Sequence, residues 1–310
     1  MSSEVRSRLS RREALGAGLA AGAALLLRGP GAAAADATLH QPLITKPIPK
    51  TGERLPAIGL GTDKFRAGED DAIQAEIGRM QQMGGTVIDT SADYGDSEQL
   101  IGEALTNLGI RDRMFVATKL VGDGGRPSFE RSLMRLHTLH VDLLQVHNLD
   151  GVDSLMPVMQ RWKHDRQIRY TGITTSEVEQ HADLIGYMQR YARQLDFIQV
   201  DYSIANRAAA MRVLPLARQL QLAVLINVPF GYGGTLREAQ RRRLPPWAAE
   251  IGVSSWAQFL LKYVISHPAV TCAIPGSTTV AHLEDNQGAA RGRLPDAAMR
   301  RRMEQFWDAA

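Results

Sequence analysis

Thr86-Val87-Ile88-Asp89-Thr90-Ser91-Ala92-Asp93-Tyr94-Gly95 is an apolar run that ends on a carboxylate and opens into a turn carrying a tyrosine. Its β-branched residues predict a strand over 86–89, and the Ser, Asp and Gly beyond it predict a loop. Two later runs end in the same way. Met114-Phe115-Val116-Ala117-Thr118 leads into Lys119, and Val141-Asp142-Leu143-Leu144-Gln145-Val146 leads into His147. The three ionisable residues are 30 and 28 residues apart, the length of a strand, a helix and their connections. Repeated βα units of that size put the carboxyl ends of their strands on one rim, where barrels of this type carry their chemistry. Tyr94, in the loop after the first of these strands, is within reach of the same rim.

The same pattern continues along the chain. Apolar runs at 57–61, 86–89, 114–119, 141–147, 169–174, 197–200, 222–227 and 270–274 predict eight strands. Between them lie stretches of helical period, such as Ile73, Ile77 and Met80, or Leu155, Val158, Met159 and Trp162, or Trp256, Phe259, Leu260 and Tyr263. The fold expected is α/β, a single-domain (β/α)8 TIM barrel over 36–310. A doubly wound open sheet would give the same alternation, but it would usually carry a Gly-rich phosphate loop, and no G-x-G-x-x-G follows any of these strands. The segment from Phe230 to about Ala248 holds three glycines, Arg241-Arg242-Arg243 and Pro245-Pro246. It reads as a long loop at the active face, with the arginines as a solvated surface.

Residues 1–35 differ from the rest. Arg6, Arg8, Arg11 and Arg12 precede an Ala, Gly and Leu run from Ala14 to Leu27, and Ala33-Ala34-Ala35 or Ala35-Asp36-Ala37 offers a small-x-small cleavage site. This is the pattern of an export signal, too short to span a bilayer. Ser10-Arg11-Arg12 resembles a twin-arginine signal, used by proteins that fold before export; an ordinary secretory signal is the alternative. The expected partner is therefore the export machinery, and the expected location the periplasm, after folding in the cytoplasm. The mature protein is expected not to be embedded in a membrane. The leader carries five Arg and two Glu, and the remainder has 31 basic and 31 acidic residues. A neutral mature domain gives no reason to expect nucleic acid or an anionic membrane as partner. One cysteine, Cys272, excludes an internal disulfide and a Cys-rich metal site; it reads as core. His137, His140 and His164 lack a metal-ligand pattern, so no metal is expected.

Asp89, Tyr94, Lys119 and His147 each have a structural explanation when taken singly: a strand-end cap, loop packing, a solvated tip, a core imidazole. Together on one rim they suit proton delivery to a carbonyl oxygen while hydride reaches its carbon. A tyrosine titrates near 10 when free, and an ammonium beside it is expected to lower that value. Lys119 supplies the ammonium, Asp89 holds it, and His147 orients the substrate oxygen. The hydride must come from a cofactor.

Val87-Ile88-Asp89-Thr90-Ser91-Ala92-Asp93-Tyr94-Gly95 resembles the Asp-Thr-Ala-x-x-Tyr-Gly signature of the aldo-keto reductase superfamily, and Thr118-Lys119 and Val146-His147 match its lysine and histidine. The resemblance covers nearly all of the mature chain. It implies an NAD(P)H-dependent reductase of aldehydes or ketones with Tyr94 as general acid. Ile58-Gly59-Leu60-Gly61-Thr62 is similar to the family's first strand, which implies Gly61 and Thr62 beside the nicotinamide and Lys50-Thr51-Gly52-Glu53 as the turn of a hairpin closing the barrel bottom. Thr174 and Gln199 correspond to residues at the nicotinamide amide, although Thr175 departs from the usual asparagine. Gly276, Ser277, Thr279, His282, Asp285 and Asn286 resemble the segment that binds the adenosine end. The resemblance implies NADPH as the cofactor, with NADH as the alternative because Gly276 and His282 stand where relatives often have the basic residues that favour the extra phosphate of NADPH. Asn227 replaces a ring-stacking tyrosine, and Asp63 stands where relatives often have an aromatic pocket residue, which implies an altered substrate pocket.

The substrate expected is a small-molecule carbonyl compound. The alternative function is a cofactor-loaded exported barrel that acts as a redox sensor or binding subunit with little turnover, because free NADPH is scarce outside the cytoplasm. A barrel hydrolase built on Asp89 and His147 is a third reading, opposed by the lack of metal ligands or a paired acid and nucleophile.

Overall fold

The computed structural model describes residues 41–309; the export segment read over 1–35 lies outside them. The described chain opens with an antiparallel hairpin, β1 (Thr45–Pro47) and β2 (Arg54–Pro56). Its turn is the expected one: Ile48 N–H bonds Glu53 O at 2.7 Å, and Gly52 takes φ +78°, a value that favours glycine. There follow β3 (Leu60–Gly61), α1 (Asp70–Gln82), β4 (Val87–Asp89), α2 (Ser97–Leu108), β5 (Phe115–Leu120) and α3 (Gly125–Arg135). Next come β6 (Val141–Val146), α4 (Val152–His164), β7 (Ile168–Thr174), α5 (His181–Arg190), β8 (Phe197–Asp201) and α6 (Val213–Gln219). The chain ends with β9 (Ala223–Asn227), α7 (Gly234–Ala239), α8 (Trp256–Ile265), β10 (Cys272–Ala273), α9 (Val280–Gly288) and α10 (Ala297–Asp308).

Strands β3 to β10 pair in chain order, all parallel. The sheet closes on itself where Ile58 bridges Ala273 and Gly61 bridges Gly276. Gly61 N–H bonds Pro275 O at 3.0 Å and Gly59 N–H bonds Ala273 O at 2.8 Å. This seam depends on glycine: a Cβ on Gly61 would lie 2.7 Å from Ile274 O, and one on Gly59 2.9 Å from Val87 O. The architecture is thus a single (β/α)8 barrel, and each expected strand is present, trimmed most at the seam where pairing is reduced to isolated bridges.

The helices lay their apolar stripes on the outside of the barrel, with Ile73, Ile77 and Met80 of α1 and Leu155, Met159 and Trp162 of α4 buried. Trp162 stacks on Phe129 of α3 at 4.6 Å. Inside, Phe115, Tyr170 and Phe197 form an aromatic layer with ring centroids 5.4–6.0 Å apart, closed from below by Ile48 and Leu55 of the hairpin. Cys272 belongs to this interior cluster. Full burial of a Phe, Leu or Ile side chain in this cluster stabilises by about 1.5–3 kcal/mol.

The segment after β9 is not one continuous loop. Gly233, at φ +82°, starts α7, and a 3-10 turn spans Pro246–Ile251. Thr235 and Ala239, four residues apart, turn one face of the short helix onto the core, a stripe too brief to read through the surrounding glycines and prolines. Arg241 and Arg243 are exposed, but Arg242 is not. Its guanidinium lies 4.8 Å from the Trp307 ring centroid and bonds Glu238 at 3.1 Å. Among the described residues no helix is long and apolar enough to cross a membrane, and no cluster of His, Cys, Asp or Glu is placed to hold a metal ion.

Candidate active site

Side chains alternate along a strand, so one face of each barrel strand looks inward. The inward sets are Val87 and Asp89; Phe115, Ala117 and Lys119; Leu143, Gln145 and, just past the strand, His147; Phe197 and Gln199; Ala223, Leu225 and Asn227. Each begins apolar and ends polar. The sequence therefore builds a greasy floor and a hydrogen-bonding mouth from the same strands.

At the mouth, Asp89 and Lys119 form a buried ion pair through Oδ2 and Nζ. Nζ also donates to Thr90 O at 2.8 Å and reaches the Tyr94 hydroxyl at 3.5 Å. The second carboxylate oxygen of Asp89 accepts from Gln199 Nε2 at 2.8 Å and Gln145 Nε2 at 3.2 Å. A buried carboxylate keeps its charge only with such partners. The Tyr94 and His147 rings meet edge to face at 5.9 Å. His147 Nδ1 lies 3.3 Å from Asp93 Oδ2 and 3.4 Å from Ser91 Oγ. Asp89, Tyr94, Lys119 and His147 are thus brought together.

The electrostatics correct one expectation. Burial raises the pKa of Tyr94, and the Asp89 and Asp63 charges add to it; Lys119 pulls the other way without prevailing. The ammonium lowers the value as expected but does not reverse the rise, because burial of the hydroxyl outweighs it. Burial opposes the charge on Lys119, but Asp89 and Tyr94 outweigh it and raise its pKa. Burial, then the Lys119 charge, lowers His147, which is neutral at pH 7.

Of the other residues singled out, Thr62 is fully buried and spends its hydroxyl on Asp89 O at 3.0 Å. Gly61 and Gly276 bridge each other, joining the mouth to the loop after β10. Thr174 Oγ1 accepts from Asn148 N at 3.0 Å. Gln199 Oε1 accepts from Asn227 Nδ2 at 3.3 Å. Thr279 caps α9, its hydroxyl accepting from His282 N at 3.3 Å, and Ser277 bonds Thr279 O at 3.1 Å. Asn286 is buried and His282 exposed. Asp285 faces α8 instead, bonded by Ser255 at 2.8 Å and Gln258 at 2.9 Å. Gln145, Ser91 and Asp93 join the site without having been singled out; strand alternation from His147 would have placed Gln145 inward.

Buried Asn227 Oδ1 and Gln145 Oε1 have no hydrogen-bond partner. Orphaned acceptors beside the ion pair call for an incoming donor, and a carboxamide is one. The capped N-terminus of α9, with the Ser277 and Thr279 hydroxyls, has the polarity that phosphates require. The residues present at the mouth and at the start of α9 fit the two polar ends of a nicotinamide dinucleotide.

The aldo/keto reductase family model matches residues 57–307. The chain is 30% identical to methylglyoxal reductase YeaE of Escherichia coli (strain K12) over 259 residues, covering 79% of this chain and 89% of that protein. It is 26% identical to an aldo-keto reductase from Klebsiella pneumoniae in complex with NADPH, with a TM-score of 0.74 over 86% of this chain and 96% of that one. A second Klebsiella pneumoniae structure, in complex with NADP and acetate, gives 26% identity and a TM-score of 0.72 over 83% of this chain and 93% of that one. With its closed barrel and a match across nearly all the described residues, the chain belongs to the aldo/keto reductase family, and with it to the NAD(P)H-dependent oxidoreductases.

Proposed function

We propose that the protein reduces a small aldehyde or ketone to the alcohol, with NADPH as hydride donor and Tyr94 as general acid. The observation that carries this reading is the Tyr94 hydroxyl 3.5 Å from a fully buried Lys119 that is itself fixed by Asp89. When bound, the dinucleotide supplies the hydride that the carbonyl carbon takes up. Tyr94 O–H gives its proton to the carbonyl oxygen as charge gathers there. Lys119 stabilises the tyrosinate left behind, and Asp89, held by Gln145 and Gln199, keeps Lys119 in place. Neutral His147 offers a ring N–H to the same oxygen and so sets its position.

The raised pKa of Tyr94 supports reduction over its reverse. At neutral pH the phenol keeps its proton, which is the form a reduction consumes, whereas alcohol oxidation needs the tyrosinate. The Klebsiella pneumoniae relatives bound to NADP and NADPH favour NADPH, and NADH is the competitor to measure, because Gly276 and His282 supply no fixed positive charge. The Escherichia coli relative makes methylglyoxal the first carbonyl to try.

The test is fluorescence titration of the mature protein with NADPH and NADH, then loss of nicotinamide absorbance on adding methylglyoxal and a panel of aldehydes and ketones. Tight NADPH binding with carbonyl-dependent oxidation is expected. Binding without turnover would replace the reductase by the sensor reading. The leader supports export of the folded, loaded protein. Arg11→Lys with Arg12→Lys is expected to retain it in the cytoplasm in a fractionation experiment; unchanged export would contradict the twin-arginine route.

A further inference from the structure

The sequence puts a hydroxyl at position 91, two residues beyond the strand-end Asp89, and the fold turns it toward His147. Ser91 is fully buried, and its Oγ lies 3.4 Å from His147 Nδ1. The same nitrogen has a rival partner, Asp93 Oδ2 at 3.3 Å. The carboxylate contact requires one tautomer, whereas the hydroxyl contact is compatible with the other. A carboxylate only accepts, so Asp93 draws the imidazole proton to Nδ1; a hydroxyl that donates to Nδ1 leaves that proton on Nε2.

We infer that Ser91 is a positioning residue that fixes His147 as the Nε2–H tautomer, leaving Nε2 as the donor that meets the carbonyl oxygen. The direction follows from where the Ser91 hydrogen can go. Ser91 Oγ already accepts from Asp93 N at 3.3 Å, so a second incoming N–H from His147 would leave the hydroxyl proton without an acceptor, since among the described residues the Oγ has no other side-chain or carbonyl partner. A buried donor left without an acceptor is costly. Asp93 pulls less. Its side chain is 51% exposed against 14% for His147, so water solvates its carboxylate and screens the attraction. Loss of the ring's charge on burial makes the choice of tautomer a real one, because an imidazolium would carry both protons. Nε2 has no bonding partner among the described residues and is left for the substrate.

This inference rests on the proposed role of His147, and the experiment separates the two. The 15N shifts of the His147 ring, assigned against His147→Gln, report which nitrogen carries the proton without any turnover. The wild-type protein is expected to show Nε2–H. Ser91→Ala should move the proton to Nδ1, toward Asp93, and lower kcat about tenfold with KM little changed, the loss of one hydrogen bond made in the transition state. Ser91→Ala with Asp93→Asn should restore the Nε2–H shifts and most of kcat, because the asparagine amide donates where the carboxylate accepted. Wild-type protein with Nδ1–H, or ring shifts unmoved by Ser91→Ala, would overturn the inference. A tautomer change with unaltered kcat would uphold it and remove His147 from the proposed chemistry instead.

Discussion

The two ends of the barrel are made from the same strands and meet opposite demands. At the floor, Phe115, Tyr170 and Phe197 interlock above Ile48 and Leu55, and the polar groups around them pair off, with Tyr170 OH bonding Glu53 at 2.6 Å and Arg169 bonding Asp142 at 2.7 Å. At the mouth, buried Gln145 Oε1 and Asn227 Oδ1 are orphaned. Asn148, Leu149, Val228 and Tyr232 all adopt positive φ there. For a β-branched residue such as Val228, at φ +49°, that conformation is strained. His137, Arg166 and Gln221 take positive φ ahead of strands at the floor end as well, so the difference between the ends lies in the strand side chains themselves: apolar and interlocked at the floor, polar and in part unpartnered at the mouth.

The largest effect is expected at the Asp89–Lys119 ion pair. Lys119→Met leaves the Asp89 carboxylate buried without its cation, so stability should fall by about 3–5 kcal/mol, with turnover lost as well, read by denaturant unfolding and assay on the same sample. Phe197→Ala, at the floor, should also cost about 3–5 kcal/mol, yet leave dinucleotide affinity within twofold by fluorescence titration. A large loss of affinity in that variant would mean the two ends are coupled.

Glu76 sharpens the contrast. It is fully buried on α1, neither carboxyl oxygen makes a hydrogen bond of ordinary geometry, and burial raises its pKa, with the Ser277 hydroxyl giving only partial relief. A raised carboxyl pKa gives stability that is present below the unfolded value and lost as pH rises through the folded one. Glu76→Leu should therefore flatten that decline and add about 1–3 kcal/mol at neutral pH; a pH profile identical to wild type would show the carboxyl is not strained. The smallest effect expected is from Val228→Gly, which should gain about 1 kcal/mol in denaturant unfolding by relieving the backbone.

How much the sequence revealed follows the same division. Asp89, Lys119 and His147 could be read because each ends an apolar run at the spacing of a βα unit, and the eight strands could be read because their runs are buried on both faces. Gln145 is hidden inside its run, where only alternation from His147 marks it. Ser91 and Asp93 become partners of His147 through a contact across 54–56 positions in the chain, which no local pattern encodes. Helix α7 was obscured by glycines that begin it rather than break it. The sign of the Tyr94 shift is not legible in the sequence, because a lysine one βα unit further along the chain says nothing of how deeply the hydroxyl is buried.

In the proposed reaction the proton comes from Tyr94, and Tyr94→Phe removes that hydroxyl while keeping the ring. NADPH affinity and carbonyl-dependent NADPH oxidation are measured side by side in this variant and the wild type. The expected result is affinity within about twofold and turnover lowered by about 10²–10⁴, and turnover retained in Tyr94→Phe would contradict the account.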